Sequence, residues 1–207
     1  MQSISLDLSL TPITKPFNIE KMKKNGTILI TGAAKRIGRH LAMSLSKEGF
    51  DIIVHHGHSP ELAEEVVTQI KENGSNAFAI QADLSDPLQI KRLYTEINQH
   101  GQINCLINNA SIFSSLTFED TSLATWEENM AINLTAPFLL SKYFSTNRSQ
   151  ENPGKIINIL DWRALRPGAD HFPYTVSKAA LASMTKSLAA GLAPHTQVNA
   201  IAFGAIL

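Results

Sequence analysis

Three side chains in the C-terminal half of the chain have the types and spacing to move a proton: Asp161, Tyr174 and Lys178. Tyr174 and Lys178 stand four residues apart in a stretch of helical character, so they share one helix face. An ammonium beside a phenol favours the phenolate and lowers the tyrosine pKa towards a working range. Tyr174 then becomes a usable proton donor to a carbonyl or imine as a hydride arrives. Asp161 ends an apolar run thirteen residues before the tyrosine. A carboxyl in a partly desolvated pocket has its neutral form favoured, which permits proton donation or a hydrogen bond to a ring nitrogen. The competing reading of Asp161 is an ion pair with Arg163 or Arg166 that holds the loop.

A second constellation lies near the N-terminus. Thr31 to Gly38, TGAAKRIG, follows the apolar run Thr27-Ile28-Leu29-Ile30 and opens a segment with Ile37, Leu41 and Leu45 on one helical face. Strand, glycine turn and helix together place a phosphate against free backbone N–H groups at a helix N-terminus. Gly32 permits the tight turn, Gly38 permits close approach, and Gly32, Arg36, Ile37 and Gly38 are the candidate cofactor residues. Arg36 occupies a place where a dinucleotide fingerprint could carry another glycine. The plain alternative is a turn that binds nothing.

Further candidates follow the later apolar runs. After the second comes His55-His56-Gly57-His58-Ser59, with no acid to accept bonds from an adenosine ribose and so select NAD. A guanidinium at Arg36 can meet a 2′-phosphate with paired charge-assisted bonds, which favours NADP. Lys178 is then available to bond the nicotinamide ribose. No acid or cysteine joins the three histidines at ligand spacing, so no metal is expected there. Ser59 can cap a helix and bind phosphate at once. Asp83, with Leu84 beside it, is placed either to hold an adenine amino group or to serve as a turn residue before Asp86. In Asn108-Asn109-Ala110-Ser111, the amides suit ties between neighbouring strands and the alanine lets a flat ligand approach the backbone. Asn133, polar among Met130, Ile132 and Leu134, fits a structural or a proton-relay role.

These residues need a frame. Apolar strands are predicted at 27–31, 51–55, 76–80, 103–107, 155–160 and 197–202, alternating with helices. One helix opens at Ser59-Pro60 and stops at Asn73-Gly74; the next opens at Asp86-Pro87 with Gln89 at capping-box spacing and ends at Gly101. A long helix over about 122–144 is expected to bend at Pro137, and the last runs from about 173 to 193. Such alternation predicts an α/β fold, a doubly wound parallel sheet with ligands at the carboxyl ends of its strands. Residues 1–24 read as a tail, and 25–207 as one domain.

Composition narrows the partners. With 18 Lys+Arg against 18 Asp+Glu, the chain has no electrostatic reason to bind nucleic acid or a charged membrane. No run approaches the length of a membrane span, and the N-terminus lacks a signal-peptide core, so a cytoplasmic location is expected. The one cysteine, Cys105, reads as a buried inert thiol.

Thr31–Gly38, Asp83, Asn108–Ala110, Asn133 and the Tyr174-x-x-x-Lys178 pair, in register over residues 25–207, resemble the short-chain dehydrogenase/reductase family. Arg36 and Asp161, where that family usually has glycine and serine, resemble its pteridine reductase branch, which includes the dihydromonapterin reductases. The resemblance implies NADPH-dependent reduction of a dihydropterin or dihydrofolate ring. It implies that Tyr174 and Asp161 deliver protons with water, that Lys178 orients the ribose, and that Asn133 belongs to the catalytic set. Arg36, Ser59 and His58 would hold the adenosine phosphate, with Asn109, Ala110 and Ser111 lining the cofactor and Ser111 and Phe113 beside the pterin. Aromatic stacking by Phe113 would add roughly 0.5–1.5 kcal/mol beyond burial; the alternative is a core aromatic in the loop.

A stripe of small residues, Ala180, Ser183, Ser187 and Gly191, suits close helix approach. By the resemblance, the long fourth and fifth helices pair between subunits, giving a homo-oligomer; an internal contact explains the stripe equally. The family also continues past its sixth strand with Pro-Gly, a lid and a seventh strand, whereas this sequence has Phe203-Gly204 and stops at Leu207. That departure reads as a fragment or a degraded copy. It leaves open reduction of another carbonyl or keto-acyl substrate, and a non-catalytic nucleotide-binding remnant.

Overall fold

The apolar runs become strands β1 (Thr27–Ile30), β2 (Asp51–His56), β3 (Ala77–Gln81), β4 (Cys105–Asn108), β5 (Gly154–Asp161) and β6 (Thr196–Phe203) of one sheet ordered β3-β2-β1-β4-β5-β6. Every pairing is parallel. The structure, a computed structural model, describes residues 26–146 and 148–204, and the tail expected at 1–24 lies outside them. Strands β1, β2 and β4 read as continuous apolar runs because both their faces are covered, whereas edge strand β6 leaves Ile201 exposed. Ile28, Ile30, Ile52, Val54, Cys105 and Ile107 point to one core. The residues between them, Leu29, Ile53 and Leu106, point to the other. Cys105 is fully buried, and burial pushes its thiol up to about 12, so it is an inert core group.

Helices α1 (Arg36–Lys47) and α2 (Pro60–Glu72) follow the first two strands. Among the residues facing the second core are Ile90, Leu93 and Ile97 of α3 (Pro87–Gln99) and Leu140 and Phe144 of α5 (Ala136–Ser145). The start of α3 is set as its sequence suggests, with the Asp86 carboxylate accepting from the Leu88 N–H at 2.8 Å. Gln89 departs from a strict capping box. Its side-chain oxygen accepts from the Asp83 N–H at 2.9 Å, and so ties the strand-three turn to the helix.

The expected long helix is divided. Helix α4 (Leu123–Met130) passes through a π-helical turn at Ala131–Thr135 into α5. Pro137 has no N–H to give residue 133, and its ring crowds that carbonyl, so the ladder widens just before the proline. A short 3-10 turn at Trp162–Ala164, absent from the sequence prediction, precedes α6 (Phe172–Gly191). On α6, Ser183, Ser187 and Gly191 are exposed, so no internal helix contact covers that part of the small-residue stripe.

The strand order reverses direction between β1 and β4, the place where open α/β sheets leave a crevice. Gly38 lies beneath it. A Cβ there would meet the Gly32 carbonyl oxygen at 2.2 Å and the Asn109 amide nitrogen at 2.6 Å. Gly38→Ala is therefore expected to lower the unfolding free energy by about 1–3 kcal/mol. Gly191→Ala, whose Cβ would meet nothing within 4 Å, should leave it unchanged or higher. Urea denaturation of the two variants checks this.

Candidate active site

At the crevice the ends of β1 and β4 are locked together by one hydroxyl. Thr31 Oγ1 accepts from the backbone N–H groups of Asn109 (2.9 Å) and Ala110 (3.0 Å). In return the Asn109 side-chain amide donates to the carbonyls of Thr31 (2.8 Å) and Gly32 (3.3 Å). Asn108, directly opposite Asn158 in the sheet, donates to it at 2.8 Å, and Asn158 continues to Thr185 Oγ1 on α6 at 2.9 Å. The amides thus tie strands together as their sequence suggested. Asn158 and Thr31 were not singled out as ties; their signal is a polar residue ending or interrupting an apolar strand.

The glycine turn suits an anion. Helix α1 has no side-chain cap bond at its N-terminus and no acid in its first turn, while Lys35 and Arg36 are exposed there. Gly32 has φ 64, and Arg36 has φ 48, a left-handed conformation that costs a side-chain-bearing residue. Ile37 is half-buried behind them.

The histidines divide. His55 is a core tether: its Nδ1 accepts from the Gly32 N–H at 3.1 Å, and its Nε2 lies 3.1 Å from the Ala82 carbonyl. Both bonds are made by the neutral Nε2–H tautomer, and burial lowers the His55 pKa to about 4. His56 is buried beside it, whereas His58 is exposed and Ser59 half-buried at the start of α2. Ser59 makes no side-chain cap bond, so capping does not occupy its hydroxyl. Asp83 takes the turn role, accepting from Ser85 N (2.8 Å) and Ser85 Oγ (2.7 Å) through one oxygen. Those two bonds hold its carboxyl below the usual range. The Leu84 side chain is core. Among the described residues, no three His, Cys, Asp or Glu side chains gather as metal ligands.

Across the crevice the proton-handling residues converge. Tyr174 donates from its hydroxyl to Asp161 Oδ2 at 3.2 Å. Lys178 is buried, donates to the Ile159 carbonyl at 2.8 Å, and lies 5.7 Å from the tyrosine ring centroid. The sequence reading of the tyrosine is corrected here. Burial first, and the Asp161 carboxylate second, raise the Tyr174 pKa rather than lower it. Burial brings Lys178 down to about 8, with Asp161 partly offsetting it. Tyr174 therefore stays protonated at neutral pH, a loaded donor instead of a phenolate. Asp161 also accepts from the Arg163 backbone N–H at 2.8 Å and faces the Arg163 guanidinium at 3.8 Å, so of the two arginines considered Arg163 makes the ion pair.

Asn133, in the π-helical turn, has its amide fully engaged. It accepts from Ser111 Oγ (3.0 Å) and Ile112 N (2.9 Å), and donates to the Ile112 carbonyl (3.1 Å) and Ser177 Oγ (3.0 Å). The amide thus links the loop after β4 to α6 next to Lys178. Phe113 is 52 % exposed, which excludes a core role. Its ring stacks on His171 at 3.8 Å and meets Tyr174 edge-on at 4.6 Å. Asp170 and His171 were not found from the sequence. Their signal lies in two polar residues just ahead of α6, and His171 has a left-handed φ of 52.

The chain matches the family model for short chain dehydrogenases over residues 26–207. It is 32% identical over 188 residues to a 3-oxoacyl-[acyl-carrier-protein] reductase, FabG, of Staphylococcus aureus, covering 90% of this chain and 76% of the relative. Among solved structures it resembles FolM Alternative dihydrofolate reductase 1 from Brucella suis in complex with NADP, at 34% identity and a TM-score of 0.80, covering 88% and 76% of the two chains. A short chain dehydrogenase from Burkholderia cenocepacia, also in complex with NADP, aligns at 30% identity and a TM-score of 0.81, over 86% and 73%.

The His55 tether makes a pH prediction. Its folded pKa is lowered, so between about 4 and 6.5 the unfolded chain binds the extra proton, and stability rises with pH across that window. As pH falls through it, the tether should cost on the order of 3 kcal/mol. His55→Gln keeps a donor and an acceptor without protonating, so its unfolding free energy should fall less steeply with acid. Chemical denaturation at several pH values reads the slope.

Proposed function

The chain belongs to the short-chain dehydrogenase family, and we propose that within it this protein is an NADPH-dependent reductase of a dihydropterin or dihydrofolate ring. The carrying observation is the Tyr174–Asp161 hydrogen bond of 3.2 Å at the end of β5. A phenol kept neutral, with a carboxyl in contact, suits a ring with donor and acceptor edges better than a simple ketone. The likeness to a FolM dihydrofolate reductase supports the same reading.

The fit to NADP rests on this chain's own groups. The uncapped start of α1 and the exposed Lys35 and Arg36 suit phosphates, and Arg36 adopts a strained conformation at the place where its fork could meet a 2′-phosphate. His58 and Ser59 would flank that phosphate, with Asp83, Leu84, Asn109 and Ala110 along the adenosine and ribose. NADPH, when bound, supplies the hydride. Tyr174 donates its proton to the reduced ring, and Asp161, which accepts from the Tyr174 hydroxyl, relays a replacement proton from water to the phenolate left behind. Lys178 would hold the cofactor's ribose, and its bond to Ile159 fixes α6 to β5. Asn133 keeps Ser111 and Ile112 beside the ring. Phe113 offers the ring an exposed aromatic face, backed by His171.

A keto-acyl reductase is the second reading, favoured by the FabG relative. A cytoplasmic homo-oligomer, joined through α4–α5 and α6, belongs to the main proposal. The exposed apolar side chains of Leu123 and Phe138 and the exposed small residues of α6 support that contact.

Loss of NADPH absorbance is expected with a dihydropterin and not with a 3-oxoacyl thioester or a simple ketone. Tyr174→Phe should reduce that rate by at least about 100-fold. Preference for the thioester would replace the pterin reading, and NADPH binding without any turnover would favour the non-catalytic remnant. Arg36→Gly should weaken NADPH far more than NADH, while stability stays level or rises by up to about 1 kcal/mol as the strain is relieved. Cofactor titration and thermal melting of that variant separate the two effects; equal losses of both cofactors would exclude a 2′-phosphate contact.

A further inference from the structure

Two carboxylates compete for one guanidinium at the mouth of the site. Arg163 reaches Asp170 Oδ2 with Nη2 at 2.8 Å, but stands off Asp161 Oδ1 with Nη1 at 3.8 Å. Its planar group is guided from the sides, with the Trp162 ring centroid at 4.7 Å and that of Phe113 at 5.6 Å, while its buried Nε has no partner. Asp170 is steered by the left-handed His171 that follows it, whose Nε2 lies 3.7 Å from the Asp170 carboxylate. The groups bearing on Asp161 are therefore Arg163 beside it on the β5 loop, Tyr174 and Lys178 on α6, and, through Arg163, Asp170 and His171 ahead of α6.

A guanidinium seated squarely on Asp161 would hold that carboxyl as the anion and bar it from donating. The geometry weakens this contact: the guanidinium keeps a 3.8 Å ion pair with Asp161 but makes its hydrogen bond, at 2.8 Å, to Asp170. We propose that Asp170 is a positioning residue that draws the Arg163 guanidinium off Asp161, leaving the carboxyl beside Tyr174 free to take up and release a proton. The functional weight of that freedom rests on the reductase reading above; the electrostatic relation does not.

The test titrates Asp161 directly in the whole protein by carboxyl 13C NMR, with its signal identified by loss in Asp161→Asn. Asp170→Asn should let Arg163 settle on Asp161 and move its carboxyl midpoint downward. Arg163→Gln should raise the midpoint. In the Arg163→Gln background, adding Asp170→Asn should produce no further shift. A midpoint unmoved or raised in Asp170→Asn overturns the proposal. So does an equal downward shift in both backgrounds, because direct repulsion between the two carboxylates would then suffice. In turnover, the alkaline fall of kcat should move to lower pH in Asp170→Asn, with KM for NADPH unchanged. A wild-type protein that does not reduce a dihydropterin would sink the substrate reading, while the titration would still decide the role of Asp170.

Discussion

The site depends on the Thr31 hydroxyl. Placed where the sheet changes direction, it accepts two backbone N–H groups from the β4 end while the Asn109 amide caps the carbonyls of the glycine turn. Backbone polar groups leaving a buried strand must find partners. Here they find them across the crevice, so the glycine turn after β1 and the loop after β4 are set relative to each other. His55 performs the same service from the other side, and its neutral tautomer is what lets Gly32 keep its acceptor.

From that frame a second set of bonds reaches the chemistry. Asn108 to Asn158 to Thr185 fastens β4, β5 and α6, and Lys178 bonds back to Ile159. Helix α6 cannot turn about its axis without breaking these. Asn133 extends the same fastening to the loop bearing Ser111 and Phe113. A π-helical turn carries this residue because the proline that follows disturbs the regular ladder. Strain is concentrated at the same mouth: Arg36 and His171 are the described non-glycine residues with positive φ, and both belong to the candidate site.

Family membership leaves the substrate undecided. The FabG and FolM relatives share the fold and differ in the substrates that their names carry. The departures of this chain from the usual pattern, Arg36 and Asp161, bear on that choice. One is a cation held in a left-handed conformation at the glycine turn, and the other is a carboxyl in contact with Tyr174.

Much of this was legible in the chain itself. The alternation of apolar runs with capped helical segments, the glycine turn and the four-residue spacing of Tyr174 and Lys178 are local patterns, set by backbone geometry within a few residues. They determined the parallel sheet and its six strands. Tertiary structure alone decided which polar groups meet. Asn108 and Asn158 are fifty residues apart and pair only because β4 and β5 share a register. His55 became a tether of the glycine turn, and Arg163 came to lie between two carboxylates. The direction of the Tyr174 pKa could not be read from spacing, since it follows from desolvation and from the Asp161 contact, both properties of the packed site.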